Sequence, residues 1–134
     1  MGGRLKMLKF IVCEDDAEEL NIAVQTITKS MMKYADIEYK VEKFQRYNEK
    51  LEKIINEPFD TKIYLLDVEL PVVGGLEIAS RIREQDDKSY IVFITAHPEC
   101  KNDIFFSRLE AIDYVEKKRN ISPKSRGHHK VYNR

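Results

Sequence analysis

At 134 residues, 43% apolar and 34% charged, the chain suits one domain whose core buries roughly two thirds of its unfolded surface, and its composition excludes a fibrous or disordered protein. No apolar stretch approaches bilayer-spanning length and the first residues lack a signal-peptide core, so a cytoplasmic protein with no membrane partner is expected. The formal charge of zero divides into −7 over residues 1–116 and +7 over residues 117–134, and an acidic body speaks against a nucleic-acid groove in the main domain.

Strand-like apolar runs alternate with helix-length segments. LKFIVC (8–13) reads as a strand and ends on the acids Glu14, Asp15 and Asp16. Leu20, Val24, Ile27 and Met31 then recur at helical spacing through about Ala35. Over 37–44, Ile37, Tyr39 and Val41 alternate with charged residues, the pattern of a half-buried edge strand. Residues 47–57 place Leu51, Ile54 and Ile55 on one side of a helix. KIYLLD (62–67) reads as a short strand buried on both faces, and 75–86 as an amphipathic helix through Leu76, Ile78, Ala79 and Ile82. YIVFIT (90–95) and AIDYVEK (111–117) are further strands, with a helix expected over 98–109 that turns Phe105, Phe106 and Leu109 inward. Five β-α repeats with short links imply an α/β fold, a doubly wound five-stranded parallel sheet, although a fifth helix has no clear sequence. Residues 1–6 read as an N-terminal extension, 7–118 as the domain, and 119–134 as a basic tail, disordered or the start of a linker. Cys13 and Cys100 lack metal or redox spacing, and Cys13, inside an apolar run, reads as a buried reduced thiol.

In a doubly wound sheet, ligands lie outside the carboxyl ends of the strands, near the point where strand order reverses. The notable polar residues fall at such ends: Glu14, Asp15 and Asp16 after the first strand, Asp67 on the third, Thr95 on the fourth and Lys117 on the fifth. Carboxylates gathered in one crevice repel and would take up protons unless a cation sat among them. Hard oxygen ligands suit Mg2+, and a hydroxyl with a lysine can bind the remaining oxygens of a phosphoryl group. A carboxylate could then attack that group to give an aspartyl phosphate.

FIVCEDD, LLDVELPVVGGLEIASRIR, FITAH and AIDYVEK resemble the receiver domain of bacterial two-component response regulators along roughly residues 7–118. The phosphoacceptor pattern of Asp, Pro four on and Gly eight on is met by Asp67, Pro71 and Gly75, and the downstream hydroxyl and lysine by Thr95 and Lys117. CEDD and ITAHPE look most like LytTR-type (accessory gene regulator-like) regulators, whose usual output is a DNA-binding domain. The resemblance implies a flavodoxin-like sheet of order 2-1-3-4-5. It implies Asp67 as phosphoacceptor, Mg2+ held by Asp15, Asp67 and the backbone carbonyl of Glu69, and Glu14 as an outer metal carboxylate acting partly through water. Thr95 would bond the attached phosphoryl group, Lys117 would pair with it, and Tyr114 would be the aromatic switch whose rotamer follows Thr95. The implied partner is a sensor histidine kinase, with a homodimer on phosphorylation and DNA contacted only through an output domain absent from this stretch. The domain would be no enzyme in the ordinary sense, limited to self-phosphorylation and slow autodephosphorylation. Two departures stand out: Lys118 replaces the proline that usually follows the lysine, and a basic, unpatterned tail replaces the fifth helix, which bears on the dimer face.

Other readings stay open at the level of residues. Asp16 serves equally well as a helix cap, since Asp16-Ala17-Glu18-Glu19 reads as a capping box. Tyr114 suits a plain core position, and Lys117 alone would be a snorkelling surface lysine. LLDVE faintly resembles the nucleophile loop of haloacid-dehalogenase-like Mg2+-dependent phosphatases, but Glu69 stands where that loop carries Asp or Thr, and the acid cluster precedes the nucleophile. A pseudo-receiver that only docks partners is the third reading, against which the complete acid, Thr and Lys set counts.

Overall fold

Parallel strands and helices alternate in the computed structural model, which describes residues 7–96 and 109–117. The elements are β1 (Met7–Cys13), α1 (Ala17–Met31), β2 (Glu38–Phe44), α2 (Glu49–Asn56), β3 (Thr61–Asp67), α3 (Gly75–Gln85), β4 (Tyr90–Thr95) and β5 (Asp113–Glu116). The strands form one parallel sheet in the order β2-β1-β3-β4-β5, so β2 is an edge strand as its alternating charges anticipate. The expected helix over 98–109 lies outside the described residues apart from Leu109, which is buried. The N-terminal extension, Cys100, Lys118 and the basic tail lie outside them as well.

Side chains of successive strand residues point to opposite faces, which divides the core in two. On one face Ile11, Cys13, Tyr64, Leu66, Ile91 and Phe93 meet Leu51, Ile54 and Ile55 of α2 and Ile78, Ala79 and Ile82 of α3. On the other, Val12, Phe10 and Leu65 meet Leu20, Ile27 and Met31 of α1. Each fully buried aliphatic side chain contributes about 1.5–3 kcal/mol of transfer free energy, so the helical stripes at 3.6-residue spacing fix the helices on the sheet.

Local chemistry sets the helix ends. α1 starts after Asp16, whose Oδ1 accepts from the N–H groups of Glu18 (2.9 Å) and Glu19 (3.0 Å). It stops at Met31, short of the expected Ala35, and residues 32–37 continue as turns closed by bonds such as Tyr34 N–H to the Met31 carbonyl (2.9 Å). α2 starts after Asn48, whose Oδ1 accepts from Leu51 N–H (2.9 Å), and ends where Pro58 forces Glu57 into extended backbone (φ −89°, ψ 139°). The carbonyls freed at that end are taken by a buried lysine: Lys62 Nζ donates to Glu57 (2.7 Å), Ile54 (2.9 Å) and Ile55 (3.3 Å). Arg83, near the end of α3, donates to the carbonyls of Leu109 (2.7 Å), Ser89 (2.9 Å), Asp86 (3.2 Å) and Glu110 (3.2 Å), joining α3 to both the turn before β4 and the approach to β5.

Gly75 opens α3 hard against the end of β3. A Cβ there would stand 2.9 Å from both the Asp67 carbonyl carbon and Val68 Cα, closer than packed atoms tolerate. Gly75→Ala should therefore lower stability by about 1–3 kcal/mol, read by urea denaturation, because neither backbone can retreat without breaking the Gly75 N–H bond to the Val68 carbonyl (3.0 Å). Tyr64→Phe should do the reverse. The buried Tyr64 hydroxyl has no hydrogen-bond partner among the described residues, so its removal should leave stability unchanged or raise it by up to about 1 kcal/mol in the same titration.

Candidate functional site at the carboxyl end of the sheet

The strand order reverses between β1 and β3, which lie side by side with Cys13 opposite Leu66. Their carboxyl ends therefore bring Glu14 and Asp15 next to Asp67. Ladder-like hydrogen bonds continue past the strand ends and fix the residues there. Glu14 N–H donates to the Phe44 carbonyl (2.9 Å), Val68 N–H to the Ile94 carbonyl (3.0 Å) and Lys117 N–H to the Thr95 carbonyl (2.8 Å). The Asp15 carbonyl accepts from Gln45 Nε2 (2.9 Å), which ties this corner to the end of β2.

One carboxylate oxygen from each of Glu14, Asp15 and Asp67 lies within 4.8 Å of the others. Glu14 and Asp67 are buried and Asp15 is exposed, so the crevice opens to solvent on the Asp15 side. Into it reaches Lys117, whose Nζ stands 2.8 Å from Glu14 Oε1, 3.0 Å from Glu19 Oε1 and 3.1 Å from Asp67 Oδ2. The other Asp67 oxygen, Oδ1, accepts from Glu69 N–H (3.0 Å), so the carboxylate is oriented from both sides. Thr95 is fully buried at the end of β4, one residue beyond Ile94, the register partner of Asp67. Tyr114 lies in β5 opposite Phe93; only its backbone is described.

The loop from Asp67 to α3 buries Leu70, exposes Val72 and turns sharply at Val72, where the Val73 N–H donates to the Pro71 carbonyl (2.7 Å). Val72 sits at φ 66°, costly for a β-branched residue, on the order of 1–3 kcal/mol. Gly74 and Gly75 give the backbone clearance that this return needs beneath Asp67.

Charge and burial oppose each other across the cluster. Burial pushes the Glu14 carboxyl up to about 7, with the Lys117 hydrogen bond drawing it down and the Asp67 charge adding to the rise. For Lys117 burial works in the other direction, yet Glu14, Asp67 and Glu19 outweigh it and hold the ammonium above its ordinary range. Cys13, directly below, is a free buried thiol pushed up to about 12 by burial and then by Asp67, which leaves it inert.

Of the carboxylates singled out from sequence, Glu14, Asp15 and Asp67 lie together here with Lys117, Thr95 ends the neighbouring strand, and Asp16 turns away to cap α1. One participant was missed. Glu19 falls at the third position of α1 and reads from sequence as the return arm of a capping box. The structure corrects that half of the box: Asp16 does cap the helix, but its own N–H donates to Glu14 Oε2 (3.0 Å), while Glu19 turns to Lys117. Its position one helical turn beyond the acid cluster was the available signal.

Three carboxylate oxygens so close, two of them buried, with one open side, form a donor set suited to a small hard divalent cation. Comparison with known proteins agrees with this layout. The family model described as the response regulator receiver domain matches residues 10–123. The accessory gene regulator protein A of Staphylococcus epidermidis is 32% identical over 114 residues, covering 82% of this chain and 46% of that protein. The sensory transduction protein LytR of Staphylococcus saprophyticus is 32% identical over 78 residues, covering 58% of this chain and 29% of that protein. The chain thus spans about half, or less, of the length of these relatives. In backbone it is similar to the response regulator TrrA of Thermotoga maritima, solved in complex with Mg2+-BeF, with a TM-score of 0.68 at 22% identity over 93% of this chain and 99% of that one.

The raised Glu14 carboxyl carries a pH signature. A folded-state value of about 7 against an ordinary 4.5 means that the fold binds this proton more tightly than the unfolded chain does. The Glu14 contribution is therefore fully present below about 4.5 and lost as pH rises through about 7. In EDTA, the melting temperature of Glu14→Gln relative to the wild type should climb between pH 5 and 7.5; a difference that stays flat with pH would contradict a buried, proton-holding Glu14.

Proposed function

Because the chain belongs to the response regulator receiver domain family, we propose that it is a signalling phosphoacceptor whose Asp67 takes a phosphoryl group from a phosphohistidine of a sensor histidine kinase. The observation that carries the reading is the Asp67 carboxylate held by Lys117 at 3.1 Å with Glu14 and Asp15 oxygens gathered within 4.8 Å. An Asp67 oxygen attacks the phosphorus as the P–N bond to the kinase imidazole breaks, and the electron pair of that bond leaves with the imidazole. Water later cleaves the acyl phosphate, returning the Asp67 carboxylate and inorganic phosphate. No other turnover is assigned to the domain.

Within this reading Asp15, Asp67 and the Glu69 backbone carbonyl hold Mg2+, with Glu14 as the outer carboxylate. When bound, Mg2+ supplies positive charge that offsets the phosphoryl oxygens. Glu69 N–H and Lys117 hold the Asp67 carboxylate in place and aim it before transfer. Thr95 then bonds a phosphoryl oxygen and Lys117 pairs with another, and these two contacts are the differential interactions by which phosphorylation shifts the domain between two states. Tyr114, on the strand that leads to Lys117, reports the change toward the β4–β5 side. Residues 7–118 form the receiver unit and 119–134 a linker toward an output domain, with transcription the controlled step as the likeness to LytTR-type regulators suggests. Homodimerisation on phosphorylation and a cytoplasmic location complete the proposal.

Incubation with acetyl phosphate and Mg2+, followed by intact mass, should show one phosphoryl addition, lost in Asp67→Asn and in EDTA. Absence of any adduct on folded wild-type protein would instead favour a docking module, and steady hydrolysis of a soluble phosphate ester would favour a phosphatase.

A further inference from the structure

Lys117 has three ammonium protons, and three carboxylates stand ready for them: Glu14 at 2.8 Å, Glu19 at 3.0 Å and Asp67 at 3.1 Å. The ammonium is thus fully subscribed before any phosphoryl oxygen arrives. Its partners are not equivalent. The Glu14 and Asp67 side chains are 3% and 4% exposed and depend on the lysine, whereas Glu19 at 23% has water as an alternative. Glu19 is also diverted from the capping role its position offers, since Glu14 Oε2 occupies the Asp16 N–H (3.0 Å). It adds a further carboxylate to a crevice that already gathers Glu14, Asp15 and Asp67 around the Lys117 ammonium.

We propose that Glu19 is a positioning residue that tethers Lys117 to α1 and takes a share of its charge, slowing phosphoryl arrival at Asp67 while favouring binding of a divalent cation. The proposal rests on Asp67 as the phosphoacceptor. An anionic donor approaches a crevice made more negative by Glu19, and the lysine proton given to Glu19 is unavailable to the phosphoryl oxygens until that contact loosens. A metal cation feels the same charge with the opposite sign. One substitution therefore moves the two properties in opposite directions, which a merely structural role for Glu19 would not do.

The test uses Glu19→Gln, which preserves shape and helix propensity at a partly exposed position, with Glu18→Gln as a charge-matched control on the same turn whose side chain is solvent-exposed. Calorimetric titration with Mg2+ alone should show affinity falling roughly threefold to tenfold in Glu19→Gln and less than twofold in Glu18→Gln. With acetyl phosphate at saturating Mg2+, where the P–O bond to acetyl breaks and acetate leaves as the bond to Asp67 forms, the initial rate by intact mass should rise roughly threefold in Glu19→Gln. Unchanged Mg2+ affinity, equal effects in the two variants, or a phosphorylation rate at or below wild type overturns the proposal. Should the wild type take no phosphoryl group, the Asp67 reading fails on its own, and the contrast in Mg2+ affinity between the two variants then decides the role of Glu19.

Discussion

The ammonium of Lys117 sits in a pocket of carboxylates, and among the described residues the carboxyl end of this sheet is organised around it. Glu14 and Asp67 are buried acids at the ends of neighbouring strands, an arrangement that repulsion and desolvation would each oppose on their own. The lysine that relieves it comes from a residue 50 positions later, delivered by the pairing of β5 with β4 and by its own N–H bond to the Thr95 carbonyl. Sheet topology and site electrostatics are therefore one problem here. If β5 shifted its register by one residue, Lys117 would leave the crevice and two buried acids would lose their shared counter-charge. Relief is partial even so, which is why Glu14 retains its proton to near neutrality while Lys117 holds its own more firmly than a free lysine.

The opposite end of the sheet shows what a settled buried lysine looks like. Lys62, near the start of the strand that Asp67 ends, has a side chain about as buried as that of Lys117 but spends its protons on three carbonyls at the end of α2. Burial draws its pKa down, with Asp86 nearby pulling the other way, whereas the carboxylates around Lys117 reverse the direction. One lysine completes the backbone hydrogen bonding of a helix and belongs to the architecture. The other neutralises charge that the architecture has assembled and belongs to the chemistry. One pole has its buried lysine satisfied by backbone, and the other keeps acids and a lysine facing one another in a crevice open to a cation.

How much of this could be read from the sequence follows from the kind of signal each feature leaves. Strands such as YIVFIT and the stripe Leu76, Ile78, Ala79, Ile82 announce themselves because burial imposes a period, and the sheet order follows from alternation with the implied family. The acids, Thr95 and Lys117 were legible because each terminates an apolar run, and a doubly wound sheet gathers such ends. Helix limits were less so: α1 stops at Met31 because the turns that follow satisfy its carbonyls, and periodicity does not record that. Glu19 was hidden for a different reason. A glutamate in the first turn of a helix has a sufficient local explanation, and the tertiary partner that displaces that explanation lies at the far end of the chain. Lys62 was legible as part of a strand but not as a helix cap, since its partners are main-chain atoms that carry no sequence signature.

The fit of Gly75 beneath Asp67 has a mechanical consequence. With no side chain between them, the first residue of α3 and the main chain of Asp67 are joined at contact distance, and the hydrogen bond from Gly75 to the Val68 carbonyl locks the joint. At the other end of the same helix, Arg83 grips the carbonyls of Leu109 and Glu110, just before the strand that leads to Lys117. α3 is thus tied at both ends to the strands that carry the site. It closes a linkage that runs from the acceptor residue down the helix, across to the start of β5 and back up that strand to the crevice. The acceptor's main chain and the approach to the lysine-bearing end of β5 are thereby anchored to opposite ends of one helix, so a single element sets the spacing of both.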